Sequence, residues 1–312
     1  MPKFFTMDNQ SPNGQYLRKI GSFIIVALLC FFMGRILVQN WRNIPFAELH
    51  FNGWWIILSL ICLFASFTLS ALIWVKLLKG LGTKVGLVRA MKSIALSQVG
   101  RYAPGRIWSY IGRAELGKVY AIPRTSSAVG LFVETELLVI SASIAFLGGL
   151  AFSFGQWKVV ALPHSLYFLL LLIPFEIAFL HPTVTKRLAG PLLRIFHREA
   201  PTVTLHYKVL LMLTLLYVIA WYLSGIGFYF MTKAVYPIKW SACIAISAAY
   251  PAAWLVGFLS LITPSGFGVR EGILVLLLTP LIPTPMAITL SFLARIWTTA
   301  FEGICFLAFI RV

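Results

Sequence analysis

The sequence predicts an all-α, polytopic integral membrane protein of about seven to eight transmembrane helices plus two broken or re-entrant helical elements. Three observations predict it. Of 312 residues, 60% are hydrophobic and only 11% are charged, against roughly 25% charged in soluble domains. Apolar runs of a length that crosses hydrocarbon, about 20 residues, recur along the chain. Two interruptions, at 97–118 and 262–272, carry proline, glycine and paired charges in sequence that is otherwise membrane-like.

Residues 1–20 form a polar tail with Lys3, Arg18 and Lys19, read as cytoplasmic, and 21–312 form a single transmembrane domain. The first run, 21–38, leads to Gln39 and Asn40 without a small-residue cleavage site, so it is expected to be a retained span and not a signal peptide. Further spans are expected at 54–75, 126–152, 162–180, 208–231, 241–262 and 285–310. The shorter segment 268–281 either crosses a thinned region or re-enters. Cys30, Cys62, Cys243 and Cys305 all lie in apolar runs with no C-x-x-C spacing, which makes them small core residues.

The net charge of +17 is unevenly placed. Lys76, Lys79, Lys84, Arg89 and Lys92 crowd one connection, and Lys186, Arg187, Arg194, Arg198 and Lys208 crowd another. This is the positive-inside bias. It puts 76–92 and 181–207 on the cytoplasmic side of the inner (cytoplasmic) membrane and removes the case for nucleic acid. Segment 76–92, with basic residues among leucines and valines, is expected along the headgroups, its glycines interrupting the helix.

Loop-like sequence at membrane depth survives only against protein or beside a wet cavity. The first interruption reads SQVGRYAPGRIWSYIGRAELGK. A helix starting at Pro104, after which Gly105 follows in the turn, places Arg106, Tyr110 and Arg113 on one face. The alternative is a cytoplasmic amphipathic hairpin with solvated arginines. The second reads ITPSGFGVREG, with Pro264, Gly266 and Gly268 ahead of Arg270 and Glu271. A proline–glycine turn leading to Arg and then Glu, once in each half, is what an internal repeat around a midplane site would give.

Glu115, Glu134, Glu136, Glu271 and Glu302 lie in or beside apolar spans, as do Arg101, Arg106, Arg113, Arg270 and Arg295. An unpaired charge at bilayer depth costs at least about 2.5–3.5 kcal/mol, so these residues are expected to face the bundle interior and pair. Ser291, Arg295, Thr299 and Glu302 share one face of the last span. Glu134 and Glu136 point apart on a helix, and Glu134 is preferred as a cavity residue because Ser127, Glu134 and Ser141 form a stripe. Helix N-termini at the breaks, with Arg106, Arg113, Gly266, Gly268 and Arg270, are suited to a lipid phosphate. Glu134, Glu271, Arg295 and Glu302 would be its flanking ion pairs. Structural ion pairing without any ligand is the plainer alternative.

Enzyme chemistry has little to stand on. Asp8 is the only aspartate, the five histidines have no ligand spacing, and no H-E-x-x-H, G-x-S-x-G or P-loop pattern occurs. No metal, cofactor or catalytic residue is expected.

Four blocks in order, APGRIWSYIGRAEL, LFVETELLVI, LITPSGFGVREG and FLARIW, resemble the membrane region of lysylphosphatidylglycerol synthases. This flippase-like family includes stand-alone proteins encoded near glycosyltransferases. The resemblance carries over to Pro104, Gly105, Arg106, Arg113, Glu134, Pro264, Gly266, Gly268, Arg270, Glu271 and Arg295. The chain departs from it at Ser265, often Gly in the family, and at Thr135, often Arg. No aminoacyl-transfer domain follows in these 312 residues, so a stand-alone member is expected.

The resemblance implies translocation of an anionic phospholipid or a polyprenyl-phosphate-linked glycan precursor. Two alternatives stand beside it: a non-catalytic subunit presenting a polyprenyl-phosphate substrate to a separate glycosyltransferase, and a gradient-driven small-anion transporter.

Overall fold

Hydrocarbon offers the backbone no hydrogen-bond partner but itself, and every element among the described residues is helical. The computed structural model describes residues 49–98, 112–117, 122–153, 206–260, 266 and 268–310, all within the unit Pro45–Val312. The expected spans 21–38 and 162–180, and Arg101, Pro104, Gly105, Arg106 and Pro264, lie outside them.

Helix α1, Gly53–Gly80, is capped by Asn52, whose side-chain oxygen accepts from the Trp54 amide at 3.1 Å. Its 28 residues rise about 42 Å, enough to cross a core of about 30 Å. The outward face carries Trp54, Ile57, Ile61 and Phe64, while Ser59 and Ser66 are buried. That inversion of soluble-protein patterning is what lipid as solvent requires. Gly82, at φ +78°, ends the helix in a turn.

Helix α2, Leu87–Gln98, follows. The sequence placed 76–92 along the headgroups and opened a separate element at 97. Instead one helix starts beside the exposed Arg89 and buries Ser93, Ile94, Ala95 and Ser97 between α1 and the last helix. The serines are tolerated because each hydroxyl donates to a carbonyl of its own helix, Ser93 to Ala90 and Ser97 to Ile94.

Three spans follow at the expected places: α3 Arg124–Phe152, α4 Tyr207–Val235 and α5 Cys243–Leu259, the last entered through a 3-10 turn at Trp240–Ala242. The amides of His50 and Asn52 donate to the carbonyls of Val235 and Ala234, so α1 and α4 run antiparallel. At that shared end Trp55 stacks on Phe230 (5.4 Å) and meets Trp240 edge-on (5.6 Å). The Lys233 ammonium sits 3.7 Å from the Trp240 ring centre and 5.0 Å from that of Trp55. This is an interfacial aromatic belt closed around a cation.

Helix α5 is the most buried of the spans. Ala245, Ala248, Ala249, Ala252 and Ala253 let its neighbours approach closely. A Cβ on Gly149 of α3 would fall on Ala248, and one on Gly225 of α4 on the Ser247 carbonyl. Pro251 has no N–H to give that carbonyl, four residues back, so the α4 contact lies where α5 leaves its own ladder open.

Helix α6, Val269–Leu278, has ten residues and rises about 15 Å, half the hydrocarbon core. At that length it does not cross an undeformed core by itself. It packs on α5 and on α7, Thr284–Ile310. Five helical stretches among the described residues are long and apolar enough to span, α1, α3, α4, Trp240–Leu259 and α7.

Replacing Gly225 by alanine should cost about 1–3 kcal/mol by overpacking. Gly303→Ala, where a Cβ meets nothing within 4 Å, should leave the thermal unfolding midpoint in detergent unchanged.

Candidate functional site

Two buried carboxylates organise the interior. Glu134 on α3 is 6% exposed. It receives two hydrogen bonds from the Arg113 guanidinium (2.6 and 3.3 Å) and a third from the Tyr217 hydroxyl of α4 (3.0 Å). Arg113 lies in the helical segment 112–117 just after the first break, and its guanidinium carbon stands 4.0 Å from the Trp74 ring centre. Three donors on one carboxylate, with an aromatic face behind the cation, meet most of the cost of burying both charges.

Glu271 on α6, 8% exposed, holds the second break. One carboxylate oxygen accepts from the Gly268 amide at 2.7 Å, capping α6, and the other faces Arg295 of α7 at 3.2 Å. The Gly268 amide at the start of α6 is therefore taken by the protein's own acid. Gly266 serves the turn itself. At φ +68° it lies against Gly257 of α5, where a Cβ would come within 2.7 Å of the Gly257 oxygen. Gly268, at φ +79°, has open space around it, so its requirement is conformational.

Beside Glu134 lies a cavity of about 280 Å³. All seven helices and segment 112–117 contribute to its wall. Its lining includes Ser66, Ser224, Tyr250 and Thr298, each near the middle of α1, α4, α5 and α7, so it sits at mid-depth. The Ser66 hydroxyl donates to the Ala220 carbonyl and bonds the Ser224 hydroxyl, both at 2.7 Å. Arg270 also lines the cavity, its guanidinium 4.9 Å from the Tyr250 ring centre. Among the described residues no carboxylate forms an ion pair with Arg270, although Glu271 and Glu302 lie within electrostatic reach.

The structure thus brings Arg113, Glu134, Arg270 and Glu302 to one cavity and sets Glu271 paired with Arg295 beside it. Arg113 has its fork on Glu134, while no carboxylate among the described residues pairs with Arg270. On α7, Ser291 and Arg295 are buried as the stripe implied, but Thr298, and not Thr299, reaches the cavity. The two breaks differ in their acids. Glu115 pairs at 2.6 Å with the exposed Arg124, whereas Glu271 turns inward.

Sequence reasoning missed Trp74, Tyr217, Trp221, Tyr250 and Trp254. A signal for four of them was present. Tyr217, Trp221 and Ser224 recur at i, i+4 and i+7 on α4, as do Tyr250, Trp254 and Gly257 on α5, and both stripes face the cavity.

These features define a multi-pass helical membrane protein in which Arg113 and Arg270, one from each interrupted stretch, line a polar, charge-paired cavity inside the bundle. The family whose members are described as the lysylphosphatidylglycerol synthase TM region matches residues 19–304, and the chain belongs to that family. No curated protein and no solved structure matches the chain.

Removing one partner of a buried pair strands the other charge, at a cost of about 3–5 kcal/mol. Glu134→Gln and Arg113→Gln should each lower the unfolding midpoint sharply, and the double variant should lose far less than their sum. Tyr217→Phe should cost about 1 kcal/mol, the net worth of one hydrogen bond. A thermal-shift series in detergent reads all four. Additive losses would mean that the two charges do not support each other.

Proposed function

We propose that this protein moves an anionic lipid or lipid-linked precursor across the cytoplasmic membrane, the headgroup passing through the mid-depth cavity. The observation that carries the reading is Arg270, a cation in the wall of a polar cavity with no ion-paired carboxylate among the described residues. An arginine in hydrocarbon needs an anion, and a planar guanidinium backed by Tyr250 is shaped for phosphate oxygens. Membership of a family of membrane regions supports the same reading. A volume near 280 Å³ suits a phosphate with its polar substituent and is far too small for a whole lipid.

Arg113 plays the second role. Its guanidinium is engaged by Glu134, so an entering phosphate competes with a carboxylate for it. That competition keeps binding weak enough for release, which transport requires as much as capture. No bond is made or broken in this scheme, and the partners are membrane lipids: an anionic phospholipid or a polyprenyl-phosphate-linked glycan. A glycosyltransferase enters only if the protein holds such a lipid without moving it.

Proteoliposomes carrying fluorescent phosphatidylglycerol test the proposal. The protein should equilibrate label between leaflets faster than empty vesicles, and Arg270→Ala should slow it about tenfold or more, the worth of a charge-assisted hydrogen bond. Lys239→Gln, at an exposed turn, should leave the rate unchanged at equal incorporation. Saturable binding of a polyprenyl phosphate without movement would favour presentation to a transferase. Protein-dependent uptake of a small anion, with no lipid moved or bound, would make it an anion transporter.

A further inference from the structure

A headgroup inside the bundle leaves its acyl chains outside, so a route that carries lipid needs an opening between two helices from cavity to bilayer. A second cavity, of about 160 Å³, continues the first. The two share Ser66, Ser70, Ile94, Gln98, Tyr250 and Glu302. The second extends to Leu63 and Phe67 of α1 and to Phe301 and Cys305 of α7. Its lining combines hydroxyls and Glu302, shared with the first cavity, with the phenyl rings of Phe67 and Phe301. Phe64 on α1 and Ile304 on α7, next in sequence to the lining residues Leu63 and Cys305, are exposed.

The seam there differs from its neighbours. The interfaces of α3 and α4 with α5 are closed nearly backbone to backbone, at Gly149 on Ala248 and Gly225 on Ser247. Among the described helices, α1 packs on α4, α3 and α2, and α7 on α6, α2 and α4. Between α1 and α7 the contact is made by rings: Phe67 meets Phe301 edge-on at 6.1 Å and Phe309 at 6.4 Å. Both Phe67 and Phe301 are half-buried, and each ring has side-chain torsions about which it can turn.

We propose that the α1–α7 seam is a lateral portal. The glycerol or first isoprene unit of the lipid occupies the second cavity, its chains lie in the bilayer between Phe64 and Ile304, and Phe67 with Phe301 is the gate. This rests on the lipid-moving reading above and adds the route. Glu302 stands where the two cavities join, within electrostatic reach of Arg270. It therefore marks the boundary between the phosphate subsite and the chain subsite.

The test uses the full chain, its four cysteines replaced by alanine, carrying Phe67→Cys and Phe301→Cys. A short bifunctional methanethiosulfonate bridges the two positions and is released by reductant. In proteoliposomes with fluorescent phosphatidylglycerol, bridging should slow lipid movement about tenfold or more, as closing an obligatory gate does, and reductant should restore it. Glycerol 3-phosphate binding, read by the fluorescence of the cavity-lining tryptophans, should survive bridging. Bridged protein that moves lipid as fast as the reduced form overturns the portal alone. Reduced protein that neither moves lipid nor binds glycerol 3-phosphate overturns the lipid-moving reading, and the portal with it. Should the double variant fold poorly, Phe301→Ala, which removes half the gate, should move lipid faster than the wild type. An equal or slower rate overturns the proposal.

Discussion

A carboxylate in the middle of a bilayer has to be met by donors inside the protein, and the Glu134 cluster is where this fold meets that demand. Arg113, Tyr217 and Trp74 come from three different parts of the chain. The constraint runs outward from there. Tyr217 on α4 must face α3, which turns Trp221 and Ser224 toward the same space one and two turns on. Ser224 in turn meets Ser66 of α1. A single buried charge thus sets the rotation of three helices, and the polar groups that accompany it line a cavity where a purely apolar core would have closed.

The second carboxylate solves a different problem. Glu271 caps the Gly268 amide with one oxygen and pairs with Arg295 through the other, so one side chain meets both a free amide and a charge at the start of α6. The break before it is held by Gly266, which tolerates both the left-handed backbone and the approach of Gly257. Ion pairing and backbone capping use the same side chain. For that reason Glu271 is unavailable for ligand chemistry, and Arg270, its neighbour around the helix, is the group left facing the cavity.

Much of the architecture was legible because hydrocarbon imposes simple rules. Apolar runs gave α1, α3, α4, α5 and α7 to within a few residues, and the count of buried acids against arginines foretold inward-facing pairs. Which acid meets which base was not legible. Glu134 and Arg113 are 21 residues apart, and their meeting depends on how segment 112–117 docks beside α3. Helix α2 was misplaced because its basic first turn masks a buried second half; charge at one end outweighed Ser93 and Ser97 at the other. Tyr217 and Tyr250 were passed over since an aromatic in a membrane span is ordinary. Only the spacing of Tyr217 with Ser224, or of Tyr250 with Gly257, distinguishes them. Gly266 was expected beneath a ligand and serves the packing of α5, a contact that no sequence pattern announces.

The brevity of α6 bears on how the chain enters the membrane. Ten residues fall well below the roughly 20 that insert as an independent segment. The α6 stretch is therefore carried in with the spans on either side of it. Its acid finds its base on the next helix, and Arg113 finds Glu134 on the helix that follows it. Arg113 and Glu271 thus each leave the ribosome close in sequence to their own counter-ion. Charges drawn from distant parts of the chain would have had to wait, unpaired, for synthesis to finish.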